Sequence, residues 1–291
     1  MSLGYYKFTV SADNSGQTLK TFLRREVGIS ARSMTVLKYA GMGITRSGIE
    51  LKAHDIVYEG DIIEIQLPPD SNYAEPVEGR LDILFEDDCL LIVNKPYGMP
   101  VHPVKVHQLD TLSNIVAYYQ QSRGESYTFR ALNRLDKDTS GCVIIAKDRI
   151  AYSLVQPTVE KKYIAACEGK ISESGVIDAP IALEPDSKIK RCISSNGDPA
   201  VTHYKPLDCA NSHTLCELRL ETGRTHQIRC HMSSIGHPLS GDDMYGGSLD
   251  YIQRQALHCK TVTLIHPVSR DMILIDTEIP DDFLAILNTP N

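Results

Sequence analysis

The sequence predicts an α+β protein: a large, mainly antiparallel or mixed β-sheet with flanking helices, preceded by a small α/β piece. Three observations carry that reading. The chain has 291 residues, against a soft prior of roughly 150 for one domain, which suits a large core with a small appendage. Strand-like runs dominate, yet they do not alternate regularly with helices as a doubly wound parallel sheet would require. The stretch Leu67-Pro68-Pro69-Asp70-Ser71-Asn72-Tyr73-Ala74-Glu75-Pro76 has the prolines and polar residues of a linker. The expected organisation is a module over 1–67, a Pro-rich linker over 68–80 and a main body over 81–291.

In the front piece Leu19, Phe22, Leu23 and Val27 recur at helical spacing. Ser30 is placed to cap a second helix bearing Met34, Leu37 and Ala40 and stopped by Gly41. Gly60-Asp61 then introduces a strand through Ile62, Ile63 and Ile65. The body opens with a hairpin, Leu81–Phe85 and Cys89–Val93 joined by the acidic turn Glu86-Asp87-Asp88. Thr111 caps a helix whose Leu112, Ile115, Val116 and Tyr119 share one face. Cys216, Leu218 and Leu220 alternate with Glu217, Arg219 and Glu221, the pattern of a strand buried on one side, and Leu257, Cys259, Thr261 and Thr263 alternate less cleanly.

Composition narrows the function. With 42% hydrophobic and 23% charged residues the chain is globular, not disordered. Its net charge of −7 excludes a uniformly basic nucleic-acid coat. From Lys20 to Arg46, however, the cations Lys20, Arg24, Arg25, Arg32, Lys38 and Arg46 face Glu26 alone, a local footprint for RNA or DNA. The eight cysteines include no Cys-x-x-Cys pair, which argues against zinc. No window approaches 18 apolar residues and the first residues lack a signal-peptide pattern, so a cytoplasmic protein with reduced thiols and no membrane segment is expected. Phosphate-loop, His-Glu-x-x-His and Gly-x-Ser-x-Gly motifs are absent from the sequence, and no nucleotide or metal cofactor is expected.

Three polar clusters remain. Asn133-Arg134-Leu135-Asp136-Lys137-Asp138-Thr139-Ser140-Gly141 runs into the apolar strand Cys142–Ala146, so Asp136 stands where a loop enters a sheet. Backbone N–H groups and cations can hold a carboxylate ionised there, as a nucleophile or base requires. Taken alone, the segment is also an ordinary turn that starts a strand. Gly223-Arg224-Thr225-His226-Gln227-Ile228-Arg229-Cys230-His231-Met232 carries Ile228, Met232 and Ile235 on one helical face, which lets its polar residues converge on a carboxylate. His226 and His231 are five apart, an awkward spacing for a shared metal on one face. The third cluster is Glu160-Lys161-Lys162-Tyr163-Ile164-Ala165, where Tyr163 begins an apparent strand and such a tyrosine is ordinarily half-buried packing.

The first cluster, Arg134-Leu135-Asp136-x-x-Thr139-Ser140-Gly141, resembles the signature His-Arg-Leu-Asp-x-x-Thr-Ser/Thr-Gly of the RluA-type RNA pseudouridine synthases, with Asn133 in place of the usual His. The second is similar to that family's Gly-Arg-Thr-His-Gln-Ile/Leu-Arg-x-His motif, and the third to its Lys-x-Tyr. Asn94-Lys95-Pro96, Ala200–Tyr204 and His237-Pro238-Leu239-x-Gly241-Asp242-x-x-Tyr245-Gly246-Gly247 add ordered matches, so the likeness spans about residues 81 to 268. The front piece looks like the αL RNA-binding module of a ribosomal protein, through Ser30-Ala31-Arg32-Ser33 and Gly60-Asp61-Ile62-Ile63, with Arg46-Ser47-Gly48 where an Asn-Gly hairpin is usual.

That resemblance implies the pseudouridine synthase fold and a cofactor-free isomerisation of uridine in structured RNA. Large-subunit ribosomal RNA of the 23S type is the first candidate substrate and transfer RNA the second. It assigns catalysis to Asp136, paired with Arg229, and to Tyr163 against the uracil, as base or stacking group. Asp136 either attacks the anomeric carbon or abstracts the neighbouring sugar proton. Arg134 fills the space of the flipped base. Thr139, Arg224, His226 and Gln227, with Lys20, Arg24, Arg25 and Arg32 of the module, are the expected RNA and base contacts. A catalytically silent RNA-binding assembly factor is the competing class. A hydrolase using Asp136 with Asp138 ranks behind, because residues two apart on a strand point to opposite faces.

Overall fold

The computed structural model describes residues 4–39, 43–68, 70, 74–104 and 106–288. Four antiparallel strands form the front sheet: β1 (Tyr5–Thr9), β2 (Ile44–Arg46), β3 (Ile49–Glu50) and β4 (Ile62–Gln66), in the order β1-β4-β2-β3. Ile63 and Ile65 of β4 are buried while Ile62 is exposed, the period-two alternation of a one-faced sheet. The β2–β3 hairpin turns through Ser47 and Gly48, both with positive φ. Ser47 therefore occupies the left-handed place that Asn takes in an Asn-Gly turn.

The first helical run begins as α1 (Leu19–Thr21), where the Thr18 hydroxyl accepts from the Thr21 N–H at 3.3 Å. It widens to a π turn over Phe22–Val27 and stops at Gly28, φ +90°. In α2 (Ala31–Tyr39) the Ser30 hydroxyl accepts from the Ser33 N–H at 3.1 Å, the expected cap. Ala40 and Gly41, its predicted end, lie outside the described residues.

The body carries a ten-stranded sheet. Its strands are β5 (Ile83–Glu86), β6 (Leu90–Lys95), β7 (Arg130–Ala131), β8 (Ser140–Ala146), β9 (Glu160–Glu168), β10 (Gly175–Asp178), β13 (Val201–Ala210), β14 (His213–Leu220), β15 (Leu257–Ile265) and β16 (Met272–Asp276); β11 (Ile181–Leu183) and β12 (Arg191–Ile193) form a separate hairpin. The order is β10-β13-β14-β9-β15-β8-β6-β5, with β16 on β15 and β7 on β8. All pairings are antiparallel except the short contact of β15 with β8 at Ser140 and Gly141. This is the mixed α+β arrangement that the irregular strand pattern predicts.

β9 is covered on both faces. Tyr163, Ala165 and Cys167 join the main core, whereas Ile164 and Ala166 pack with Phe283, Ile286 and Leu287 beneath α6 (Asp281–Asn288). α3 (Leu112–Arg123) starts at the predicted Thr111, whose N–H donates to Asn114 Oδ1 at 3.2 Å. α4 (Arg149–Val155) starts at Asp148, which accepts from the N–H groups of Ile150 and Ala151 at 2.7 and 2.9 Å. Tyr6 of β1 donates to the same carboxylate at 2.7 Å, and its ring lies in the core that both sheets share.

The described part of the Pro-rich stretch is held, not free. Asp70 pairs with Arg130 and accepts from the Thr128 hydroxyl at 2.7 Å, while the Glu75 carbonyl accepts from Asn114 Nδ2 at 2.8 Å. The Asp70 side chain thus finds a cation and a hydroxyl on the body, a pairing that composition alone does not disclose. Among the described residues no helix is long and apolar enough to cross a membrane.

Where β15 meets β8, His258 is buried. The Thr277 hydroxyl donates to the Lys260 carbonyl at 3.0 Å, so it accepts from His258 Nε2–H at 2.8 Å, and Ser140 donates to Nδ1 at 2.8 Å. Burial, with Arg254 and Lys260 nearby, pushes this imidazole down to about 4. Between an unfolded value of about 6.5 and pH 4 the unfolded chain gains a proton that the folded one refuses, so stability falls with pH in that window by roughly 3 kcal/mol and levels off below it. Urea unfolding from pH 7 to 4 is expected to show a flatter decline in His258→Gln, which keeps an acceptor for Ser140 and a donor for Thr277. Parallel declines would contradict the assignment.

Candidate active site

Asp136 sits on the loop between β7 and β8, and nearly every neighbour in that loop is tied down. The Asn133 amide donates to the Cys142 carbonyl and accepts from the Ile144 N–H, both at 2.9 Å. It continues the edge of β8 between the stretch paired with β15 and the stretch paired with β7, in the manner of a strand residue. Asn133 thereby serves two peptide groups that would otherwise be buried without partners. The Thr139 N–H donates to the Asp136 carbonyl at 3.2 Å, and the Thr139 hydroxyl accepts from Gln255 at 3.1 Å.

Lys95, at the end of β6, is fully buried. Its ammonium donates to the carbonyls of Pro96 and Met99, both at 2.8 Å, and of Lys137 at 3.1 Å. Burial pushes it down to about 7 against the pull of Asp138 and Asp136. With all three protons engaged, it fastens the residue next to Asp136 to the turn after β6.

The partner of Asp136 comes from α5 (Gln227–Ser234). Arg229 donates from Nε and Nη2 to the two oxygens of Asp242 at 2.6 and 2.8 Å, and from Nη1 to Asp136 Oδ2 at 3.2 Å. Asp242 is 1% exposed and Arg229 6%, so this bidentate pair is shielded from water while Asp136 remains partly open. Burial works against the guanidinium charge, and Asp242 and Asp136 hold it well above its usual value. The Tyr245 ring lies under the guanidinium at 5.0 Å, a cation–π contact.

Tyr163, on β9, lines the same small cleft together with Arg134, Leu135, Thr139, Leu220, Arg224, His226 and Leu257. Burial and the adjacent Cys259 push its phenol far above the usual value. An ionised Tyr163 is therefore disfavoured, and what the cleft meets is a neutral ring whose hydroxyl is engaged with the buried Cys259.

The arrangement is a partly solvated carboxylate with a fixed cation behind it and an aromatic wall beside it. Residues 89–234 match the sequence profile of the RNA pseudouridylate synthase family. The RNA pseudouridine synthase YhcT of Bacillus subtilis is 41% identical over 243 residues, covering 80% of each chain. The chain belongs to the RNA pseudouridine synthase family. It is an isomerase of the RluA type, 40% identical over 231 residues to ribosomal large subunit pseudouridine synthase D of Nitrosomonas europaea, across 75% of this chain and 67% of that one. The solved human RNA pseudouridylate synthase domain containing 1 superposes with a TM-score of 0.56 at 26% identity, covering 70% of this chain and 86% of that one.

Within this pseudouridine synthase the expected site residues separate into groups. Asp136, Arg229, Tyr163, Arg134, Thr139, Arg224, His226 and Gln227 share one cleft. Arg134 and Arg224 are exposed there. Gln227, expected to touch RNA, is 2% exposed and engaged by the protein. It accepts from the Arg224 N–H and the Thr222 hydroxyl, both at 2.9 Å, and donates to the Val201 carbonyl at 2.9 Å. It shapes the turn into α5. Lys20 and Arg24 line a groove of about 750 Å³ in the front piece with Lys38, Lys52 and His54; Arg25 and Arg32 are exposed and do not line it. Arg24 also donates to the Ile29 carbonyl at 2.8 Å.

Lys95, Asp242 and Tyr245 stand inside matched motifs, but nothing local in the sequence reveals whom they touch. Among the described residues one group of ligand atoms, from Asp87, Cys89 and His266, lies within 4.8 Å of one another. His266 Nδ1 accepts from the N–H groups of Val268 and Ser269 at 3.3 and 3.0 Å, so Nε2 carries the proton and donates to Asp87 at 2.7 Å. With no lone pair left at Nε2, this is a pin between the β5–β6 turn and the chain after β15 and a poor metal ligand.

Proposed function

We propose that this protein isomerises a specific uridine of structured RNA to pseudouridine in the cytoplasm, that its substrate is large-subunit ribosomal RNA, and that Asp136 is the essential group with no cofactor taking part. The observation that carries the reading is the orientation of Arg229, anchored by Asp242 and reaching Asp136 at 3.2 Å. The choice of RNA is supported by the relatives named ribosomal large subunit pseudouridine synthase D.

The reaction breaks the bond between ribose C1′ and N1, turns the freed uracil and joins C5 to C1′, with the C5 proton leaving last. No electrons are gained or lost overall. Asp136 acts on the sugar, by attack on C1′ or by taking the neighbouring sugar proton, and Arg229 keeps its charge in place in either route. The base must leave its stack to reach a cleft this small. Arg134, exposed at its mouth, occupies the vacated position. Tyr163 confines the loose uracil, and its raised pKa favours this packing role over that of a base.

Residues 1–67 act as an RNA-binding module whose groove, with Lys20, Arg24, Lys38 and Lys52, follows the phosphate backbone. Asp70 and its neighbours keep that module against the catalytic body.

Incubation with unmodified ribosomal and transfer RNA carrying tritium at uracil C5 tests the activity. Wild-type protein is expected to release tritium from large-subunit ribosomal RNA, and Asp136→Ala to bind that RNA without release. Release by Asp136→Ala would remove the aspartate from the mechanism, release from transfer RNA alone would change the substrate, and binding without release by wild type would point to a silent assembly factor. For the groove, Lys20→Gln, Lys38→Gln and Lys52→Gln together are expected to flatten the salt dependence of binding by about one unit of slope per lost phosphate contact. An unchanged slope would exclude the groove from the RNA contact.

A further inference from the structure

His226, expected to contact RNA, is also held facing Asp136 by a chain of hydrogen bonds that begins on the β11–β12 hairpin. The Arg191 N–H donates to Tyr245 Oη at 2.8 Å. That oxygen already accepts, so its own proton is available to His226 Nδ1, 3.0 Å away. A ring nitrogen that accepts carries no hydrogen, so the neutral imidazole bears its proton on Nε2. Nε2 lies 3.8 Å from Asp136 Oδ2, the same oxygen that Arg229 reaches.

Two further observations fit a placed side chain. His226 holds a left-handed backbone, φ +54°, at the start of α5, a conformation disfavoured for any residue with a Cβ and kept where the side chain's direction matters. Its ring also meets the Tyr245 ring edge to face, with centroids 5.7 Å apart. The charged groups that act on it are Asp136 from the β7–β8 loop, Arg229 from α5, Asp242 from the turn before Tyr245, and Arg191 from β12, with the exposed Arg134 and Arg224 lining the same cleft. Burial pushes the imidazole down, Asp136 and Asp242 oppose this, and the two arginines add to it.

We propose that His226 is a positioning residue for Asp136, presented as the Nε2–H tautomer, and that the Tyr245 hydroxyl sets this tautomer. A neutral N–H and the Arg229 guanidinium then share one carboxylate oxygen, which leaves the other free to act on the sugar. The opposite tautomer would aim a lone pair at the carboxylate, and the repulsion would turn Asp136 away. The 3.8 Å gap suits a contact that tightens when RNA closes the cleft.

The proposal rests on Asp136 as the reacting group, but its test does not. Nitrogen NMR of the full chain labelled with 15N-histidine reports each ring's tautomer, and the His226 signals are assigned by their loss in His226→Gln. Wild type is expected to show Nε2–H. Tyr245→Phe, which keeps the ring under Arg229, is expected to lose the fixed tautomer and to lower kcat roughly tenfold at unchanged KM, the scale of one neutral hydrogen bond. An Nδ1–H ring in wild type overturns the proposal even if Tyr245→Phe cannot be purified. So does a Tyr245→Phe protein that changes the tautomer without slowing, or slows without changing it. A correct tautomer with an inactive wild-type enzyme would instead count against the functional reading.

Discussion

Arg229 is the residue on which the site depends. A guanidinium so deeply buried is tolerated only when its donors are answered and its charge is opposed, because desolvation otherwise exceeds the Coulombic gain. Asp242 answers two donors and Asp136 a third. One cation between two carboxylates leaves one negative charge over, and that charge resides on the partly exposed member, Asp136. The Arg229–Asp242 pair is thus the mount, and Asp136 is the part of it that stays partly open to solvent. Three distant stretches must meet for this: the β7–β8 loop, α5 and the turn holding Asp242.

The backbone shows how closely they meet. A Cβ on Gly141, φ +111°, would stand 2.3 Å from the Cys259 carbonyl oxygen, and one on Gly241, φ +74°, would stand 2.0 Å from that of Arg254. Only glycine suits either place. Lys95, Gln255 and Asn133 then lock the loop that Gly141 lets approach β15. Each engages groups of that loop or of β8 and leaves the Asp136 carboxylate alone, so the loop is braced while that carboxylate stays partly open.

Local signals made much of the fold legible. Period-two alternation reports β14, the Ser30 and Thr111 caps report the starts of α2 and α3, and the acidic turn reports the β5–β6 hairpin. The signature segments also mark the cleft. What stayed hidden depends on partners far along the chain. Nothing near Gln227 shows that it turns inward to Val201 and Thr222, and nothing near Asp70 shows that it meets Arg130, 60 residues on. Asn133 reads as a departure from the family signature, yet its amide continues the β8 edge, a job visible only once β15 and β7 are seen to leave that gap. Of the four front-piece cations expected to meet RNA, charge alone could not separate Lys20 and Arg24, in the groove, from Arg25 and Arg32, outside it.

The division of labour that results is simple in physical terms. In the proposed function a cationic groove holds phosphates, a small cleft admits one base, and the braced Asp136 carboxylate meets the sugar with a buried arginine behind it. The most direct test of that account is the single-turnover rate of Arg229→Lys on prebound RNA. A lysine keeps the charge but cannot span two carboxylates as a planar fork does. The account predicts a loss of more than about tenfold in the chemical step with RNA affinity retained. An Arg229→Lys enzyme that turns over its bound RNA at the wild-type rate would contradict it.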